Sequence, residues 1–174
     1  MKSKKSLVVS NAGPLIHLAK INRLHLLKDL YREVVIPREV KTEAFDLAME
    51  KGFPDAIQIG DAINEGWIKV EDMKLTQEFT KMAQIAGLKM AEAAVIYYAY
   101  KNEGIALIDE DSARTFARTL GIPIRGTLGI ILESLKRGIL SRVEALKALE
   151  KLSEITYLSA ELYRIMRNEI EKPN

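Results

Sequence analysis

The stretch from Ile105 to Thr127 constrains the fold more than any other part of the chain. Ile105, Ala106, Leu107 and Ile108 form a short continuous apolar run, the signature of a strand buried on both faces. The run stops at a carboxylate, Asp109. A helical pattern follows from Glu110 to Leu120, with Ala113, Phe116, Ala117 and Leu120 on one face. Gly121 stands where a left-handed residue commonly closes a helix. Ile122 to Arg125 reads as a second strand, and Gly126 with Thr127 opens another helix. Two strands joined by a helix run parallel in one sheet, and in open parallel sheets ligands bind beyond the carboxyl ends of the strands. Asp109 sits at such an end. A charge there requires a water-filled cleft, a metal or a cationic partner.

The rest of the chain repeats the alternation. After a polar start, Lys2–Ser6, the run Leu7–Ser10 reads as a strand. Gly13 and Pro14 make a turn, and the pattern predicts a helix through Lys20. Asn22 is placed to cap a second helix ending near Leu30. Val34–Ile36 is the next strand, ended by Pro37. Arg38–Glu50 follows as a helix with Val40, Ala44, Leu47 and Ala48 inward. A short helix over 55–65 leads to a strand at Trp67–Val70, then to helices over 75–86 and 89–102. The last of these is apolar on most faces, which makes Glu92 inside it unusual. Helices over 127–137, 141–152 and 159–171 complete the chain, with fraying expected at its last residues. The pattern predicts a three-layer α/β/α sandwich around a parallel sheet, with extra C-terminal helices. Neither repeat nor linker divides residues 1–174, which read as a single domain with its core at about 7–140 and C-terminal helices at about 141–171.

Composition excludes several chemistries. The chain has no cysteine, so thiolate catalysis, disulfides and cysteine zinc sites are ruled out, and two histidines do not make a histidine-rich metal site. The net charge of +2 is too small to signal nucleic-acid binding by itself. No apolar run reaches the roughly 18 residues that cross a membrane, and Leu7–Val9 is too short for a signal-peptide core. The expected location is cytoplasmic. High Lys and Glu content without cysteine also suits a thermophile.

Four polar residues share a theme. Asn11 ends the first strand and Asp109 the fourth; Glu43 lies about a turn and a half into the helix after the second strand, and Glu92 near the start of its apolar helix. If the first and fourth strands are neighbours, all four converge on one cleft. Carboxylates brought together raise one another's pKa, and a divalent cation removes that repulsion. Oxygen-only ligands favour Mg²⁺ or Mn²⁺. Two of the four also have a plainer reading: Glu43 as a solvated surface group, Asp109 as the cap of the helix that follows it.

At this point the sequence reaches a resemblance. Val8 to Ile16 around Asn11, Val35 to Val40 followed by Glu43, Ala91-Glu92-Ala93, Ile108 to Arg114, and Gly126 to Ile130 resemble the ordered motifs of PIN-domain proteins. They are most similar to the VapC-toxin-like branch with a Gly-Thr-Leu-Gly ending. The resemblance implies a metal-dependent endoribonuclease, the toxin of a toxin–antitoxin pair, that hydrolyses RNA phosphodiester bonds with Mg²⁺ or Mn²⁺. It implies Glu43, Glu92, Asp109 and Asn11 as catalytic and metal-holding residues, a homodimer, and a small antitoxin partner. The sequence departs from the family at Asn11, where the usual residue is Asp, and at Ala91, where it is Gly. The first departure sustains an alternative: a weak or inactive PIN-fold module that binds RNA or protein.

Basic residues are candidates for the RNA contacts of the first reading, and each also reads as part of an ordinary solvated basic face. Arg114 and Arg118 lie one helical turn apart, Arg125 ends a strand, and Lys136, Arg137 and Arg142 follow. Thr127 opens a helix whose N-terminus suits a phosphate, or orients an acidic side chain. No glycine-rich loop with a lysine precedes it, so a nucleotide-binding P-loop is not expected. Asp111 is read as facing solvent, and His17 and His25 as packing or surface residues. The apolar set Ile139, Leu140, Leu146, Leu149, Leu152, Ile155, Tyr157 and Leu158 exceeds what one edge helix needs, which predicts an exposed patch and a dimer.

Overall fold

The five stretches read as strands are the five strands of one parallel sheet, the inner ones uncharged and the two at its edges carrying charged residues. In the computed structural model, which describes residues 6–173, these are β1 (Val8–Ser10), β2 (Val34–Pro37), β3 (Ile68–Glu71), β4 (Ile105–Leu107) and β5 (Ile124–Arg125). Residues 1–5 and 174 lie outside the described residues, and with them most of the polar start and the last of the C-terminal fraying. The sheet order is β3-β2-β1-β4-β5. Val9 aligns with Val35 on one side and Ala106 on the other. β1 is thus central and buried on both faces, which is why Val8, Val9 and Ser10 are all inside.

The helices are α1 (Ala12–Lys20), α2 (His25–Tyr31), α3 (Arg38–Lys41), α4 (Leu47–Glu50), α5 (Asp55–Asn64), α6 (Gln77–Ile85), α7 (Met90–Lys101), α8 (Asp111–Thr119), α9 (Thr127–Lys136), α10 (Arg142–Ile155) and α11 (Ala160–Glu171). α7 rests on β1, β2 and β4 with α6 and α8 beside it; α1, α2, α5 and α9 form the other layer. The all-round apolar character of α7 follows from this central place, with Ala93, Ala94, Val95, Ile96 and Ala99 fully inside. The result is an α/β/α sandwich.

Several local expectations are corrected. Asn22 does not cap α2. It sits in the left-handed region at φ 56° and closes the turn after α1, a conformation that Asn tolerates better than most residues. The helix after β2 is not uniform: Thr42–Asp46 is a π-helical stretch between α3 and α4. Its wider turn favours a spacing of four, so Val40, Ala44 and Ala48 are buried while Leu47 is 45% exposed. The C-terminal apolar set is largely consumed inside the chain. Leu140, Leu149 and Leu152 are buried where α10 packs on α9, α1 and α11. Of that set only Ile155 and Tyr157 are exposed, so most of the residues expected to form a surface patch are buried or half-buried. Arg142 is not a free cation either. Its guanidinium donates to the carbonyls of Ile170 and Lys172, which satisfies the open C-terminus of α11 and places a positive charge at the negative end of its dipole.

Candidate active site

Strand order changes direction between β1 and β4. The chain moves outward from β1 to β2 and β3 on one side, and from β4 to β5 on the other. The connections leaving the carboxyl ends of β1 and β4 therefore diverge, and a crevice opens between them. Asn11 follows β1 and Asp109 follows β4, so the topology alone brings these two residues to the same crevice.

Asp109 is held from three directions. Its Oδ1 accepts the backbone N–H of Thr127 at 2.7 Å, and its Oδ2 accepts the Thr127 hydroxyl at 2.7 Å. His17 Nδ1 stands 2.8 Å from the same Oδ2. Burial alone would raise the pKa of this carboxyl, but the His17 and Thr127 hydrogen bonds outweigh it and hold the group below its ordinary value. An ionised carboxylate cannot donate, so in this contact His17 Nδ1 is the donor and Asp109 Oδ2 the acceptor. Asp109 thus caps α9 through Thr127; the helix that directly follows it, α8, has Glu110 at its N-cap instead.

Asn11 is 3% exposed. Its Nδ2 donates to Glu110 Oε2 at 3.0 Å, while its Oδ1 is buried with no partner among the described residues. Gly13 makes room for this arrangement. A Cβ there would stand 3.1 Å from Glu110 Oε1 and 3.4 Å from Asp109 Oδ2. Both carboxylates therefore close over the first turn of α1, whose open N–H groups favour negative charge.

Glu92 is buried at the third position of α7, and its Oε2 accepts the Lys89 backbone N–H at 2.9 Å. This is the carboxylate half of a capping box; a lysine side chain has no acceptor to supply the other half. Glu43 is exposed on the π-helical stretch after β2. Among the described residues, no three His, Asp or Glu side chains are gathered closely enough to hold one ion.

Basic groups border the same crevice. Arg114 Nη1 donates to the Ile108 carbonyl at 2.9 Å and fills the space beside Gly126, where a Cβ would come within 2.7 Å of it. Arg125 pairs with Glu133, which also takes Arg137 and the Tyr31 hydroxyl. Burial, and then Glu133, push the Tyr31 phenol well above its ordinary pKa. Arg118 is exposed on α8; Asp111 is exposed too, but it lines the same cavity as Asp109, so its expected place away from the cleft is corrected. A cavity of about 660 Å³ runs from His17, Asp109 and Thr127, past Arg114 and Arg125, to Tyr157 and the C-terminal helices.

A family model described as PIN domain matches residues 7–172. The chain belongs to the PIN-domain family. The PIN domain is a nuclease-type fold, and PIN domains generally use divalent metal ions. A solved structure similar to this PIN domain is that of PAE2754 from Pyrobaculum aerophilum, at 15% sequence identity and a TM-score of 0.49, over 68% of this chain and 92% of that one. No curated protein matches. The oxygen-only donor set of this PIN domain and the unpartnered Asn11 Oδ1 suit a hard cation that keeps several of its waters. Two neighbours of the site escape a reading of the sequence alone. His17 reads as a packing residue, yet it lies one helical turn after Gly13 and reaches Asp109. Glu110 reads as the start of a helix, yet it is the partner of Asn11.

Proposed function

We propose that this PIN domain is a metal-dependent endoribonuclease of the VapC-toxin-like branch, acting on RNA in the cytoplasm as the toxin of a toxin–antitoxin pair. Residues 1–174 are read as one domain that works as a homodimer and is restrained by a small antitoxin. The observation that carries the reading is Asp109: a largely buried carboxylate, kept ionised by Thr127 and His17, at the carboxyl end of a central strand and on the wall of a cavity of about 660 Å³. Asn11 and Asp109, which share the crevice, would hold the ion or its waters directly; Glu43 and Glu92 would reach it through water, since no three acidic side chains among the described residues gather at one point. A bound Mg²⁺ or Mn²⁺ supplies an acidified water and offsets charge on the phosphate. The chain itself orients Asp109 through Thr127, keeps Asn11 dry, and places Arg114 and Arg125 beside the path of the RNA backbone.

The test is cleavage of a labelled RNA with Mn²⁺ and with EDTA, by the wild type and by Asp109→Asn. The reading expects cleavage with Mn²⁺ only, and loss of it in the variant. A second reading, an RNA- or protein-binding module without catalysis, is favoured by the engagement of both Asp109 oxygens within the protein and by the absence of a third close carboxylate among the described residues. RNA retained but left uncut at every Mn²⁺ concentration would establish it.

A further inference from the structure

Position 11 carries an amide where the family resemblance implies a carboxylate, and the structure brings a carboxylate to the same place. Asn11 Nδ2 donates to Glu110 Oε2 at 3.0 Å, and the other oxygen of Glu110 closes toward Gly13 beside Asp109 Oδ2. Asn11 Oδ1, on the same amide, is buried and unpartnered. A buried carbonyl oxygen without a donor is rare and calls for a cation or an ordered water. Each of these facts has its own origin: one concerns a hydrogen bond, one the space above a glycine, one an orphaned atom.

The geometry points to a relocated ligand: Glu110 supplies the negative charge that Asn11 lacks, and Asn11 is the positioning residue that turns Glu110 into the crevice. This rests on the proposed metal-dependent reading and names a residue of its site. The charge logic is direct. With Asp at position 11, its carboxylate would face that of Glu110 at hydrogen-bond distance, and the two would repel. With Asn, the amide N–H₂ group attracts Glu110, and the amide oxygen remains free for a cation or one of its waters. Two carboxylates, Asp109 and Glu110, plus one amide oxygen fit the way Mg²⁺ binds, with few protein carboxylates and the remaining positions held by water or phosphate. That count also agrees with the lack of any three-carboxylate cluster among the described residues.

The experiment is Mn²⁺ titration by calorimetry on the full chain, for the wild type, Glu110→Gln, Asn11→Asp and the double variant Asn11→Asp/Glu110→Gln, with thermal melting in EDTA as a metal-free readout. Glu110→Gln is expected to weaken Mn²⁺ binding on the order of ten- to a hundredfold. In EDTA, Asn11→Asp alone is expected to melt below the wild type. The double variant moves the charge back to position 11 and is expected to recover both Mn²⁺ affinity and the melting temperature. Unchanged affinity in a folded Glu110→Gln would overturn the inference and leave the metal-dependent reading standing. An Asn11→Asp chain that binds Mn²⁺ more tightly than the wild type, with no gain from adding Glu110→Gln, would overturn it too. A folded wild type that takes up no Mn²⁺ would overturn both.

Discussion

Thr127→Val tests the way Asp109 is kept ionised. Thr127 is 2% exposed, and its hydroxyl donates to Asp109 Oδ2 at 2.7 Å. Valine keeps the shape and the backbone N–H that serves Oδ1, so one charge-assisted hydrogen bond is removed and little else. Such a bond contributes about 1.5–3 kcal/mol, which in a chain of this size corresponds to a melting shift of roughly 3–12 °C. The pH dependence is the sharper part. The folded-state pKa of Asp109 is held below its ordinary value, so its contribution to stability is fully present above the unfolded value of about 3.9 and is lost as pH falls through the folded pKa. Removing the hydroxyl donor brings the two values closer. The wild type should therefore exceed Thr127→Val most at neutral pH, and the gap should shrink as the pH drops below about 4. Urea unfolding in EDTA at a series of pH values measures the gap, and the carboxyl carbon shift of Asp109 measures the pKa. A gap that stays constant from neutral to acid pH would refute the argument, because the bond would then not depend on the charge of Asp109.

Gly126→Ala should disturb the same crevice sterically, since its Cβ would come within 2.7 Å of Arg114 Nη1 and 3.0 Å of Asp109 Oδ1; a cost of about 1–3 kcal/mol in urea unfolding is expected for crowding of this kind. Glu133→Gln frees Arg125 and Arg137 from their shared carboxylate. It should steepen the salt dependence of RNA binding by about one unit of slope, and lower the Tyr31 phenol pKa in an ultraviolet titration while burial keeps it above the ordinary value.

The layers of the fold were legible because the inner strands are short apolar runs and several helices carry their own end signals. Ser141 with Glu144 forms a capping box where Ser and Glu stand three apart, and Gly87, Gly121 and Gly138 all adopt the positive φ that a helix end asks of glycine. What misled was tertiary. The Arg38–Glu50 helix widens into a π turn, and no local pattern distinguishes Leu47 from an inward residue until the spacing of Val40, Ala44 and Ala48 is known. The leucines of α10 counted as surplus only while α9, α1 and α11 were not known to surround them.

The site divides along the same line. Residues placed by a strand end could be located from sequence, since Asn11 and Asp109 needed only β1 and β4 to be neighbours, as they are. The groups that set the chemistry of those two residues could not. His17 meets Asp109 across 92 positions of sequence and Glu110 meets Asn11 across 99; neither pair has a local signature. Gly13 is the link between them. It lies one helical turn before His17 and is the point over which Asp109 and Glu110 both close, so its missing side chain admits the two carboxylates. Read as half of a Gly-Pro turn, it explains only a chain reversal. Placed in the first turn of α1 against the end of β4, it explains why a carboxylate next in sequence to Asp109 can stand beside Asn11 rather than in solvent. A side chain at position 13 would therefore act on Glu110 and Asp109 together, and the polarity of the crevice depends on a residue that contributes no polar atom of its own side chain.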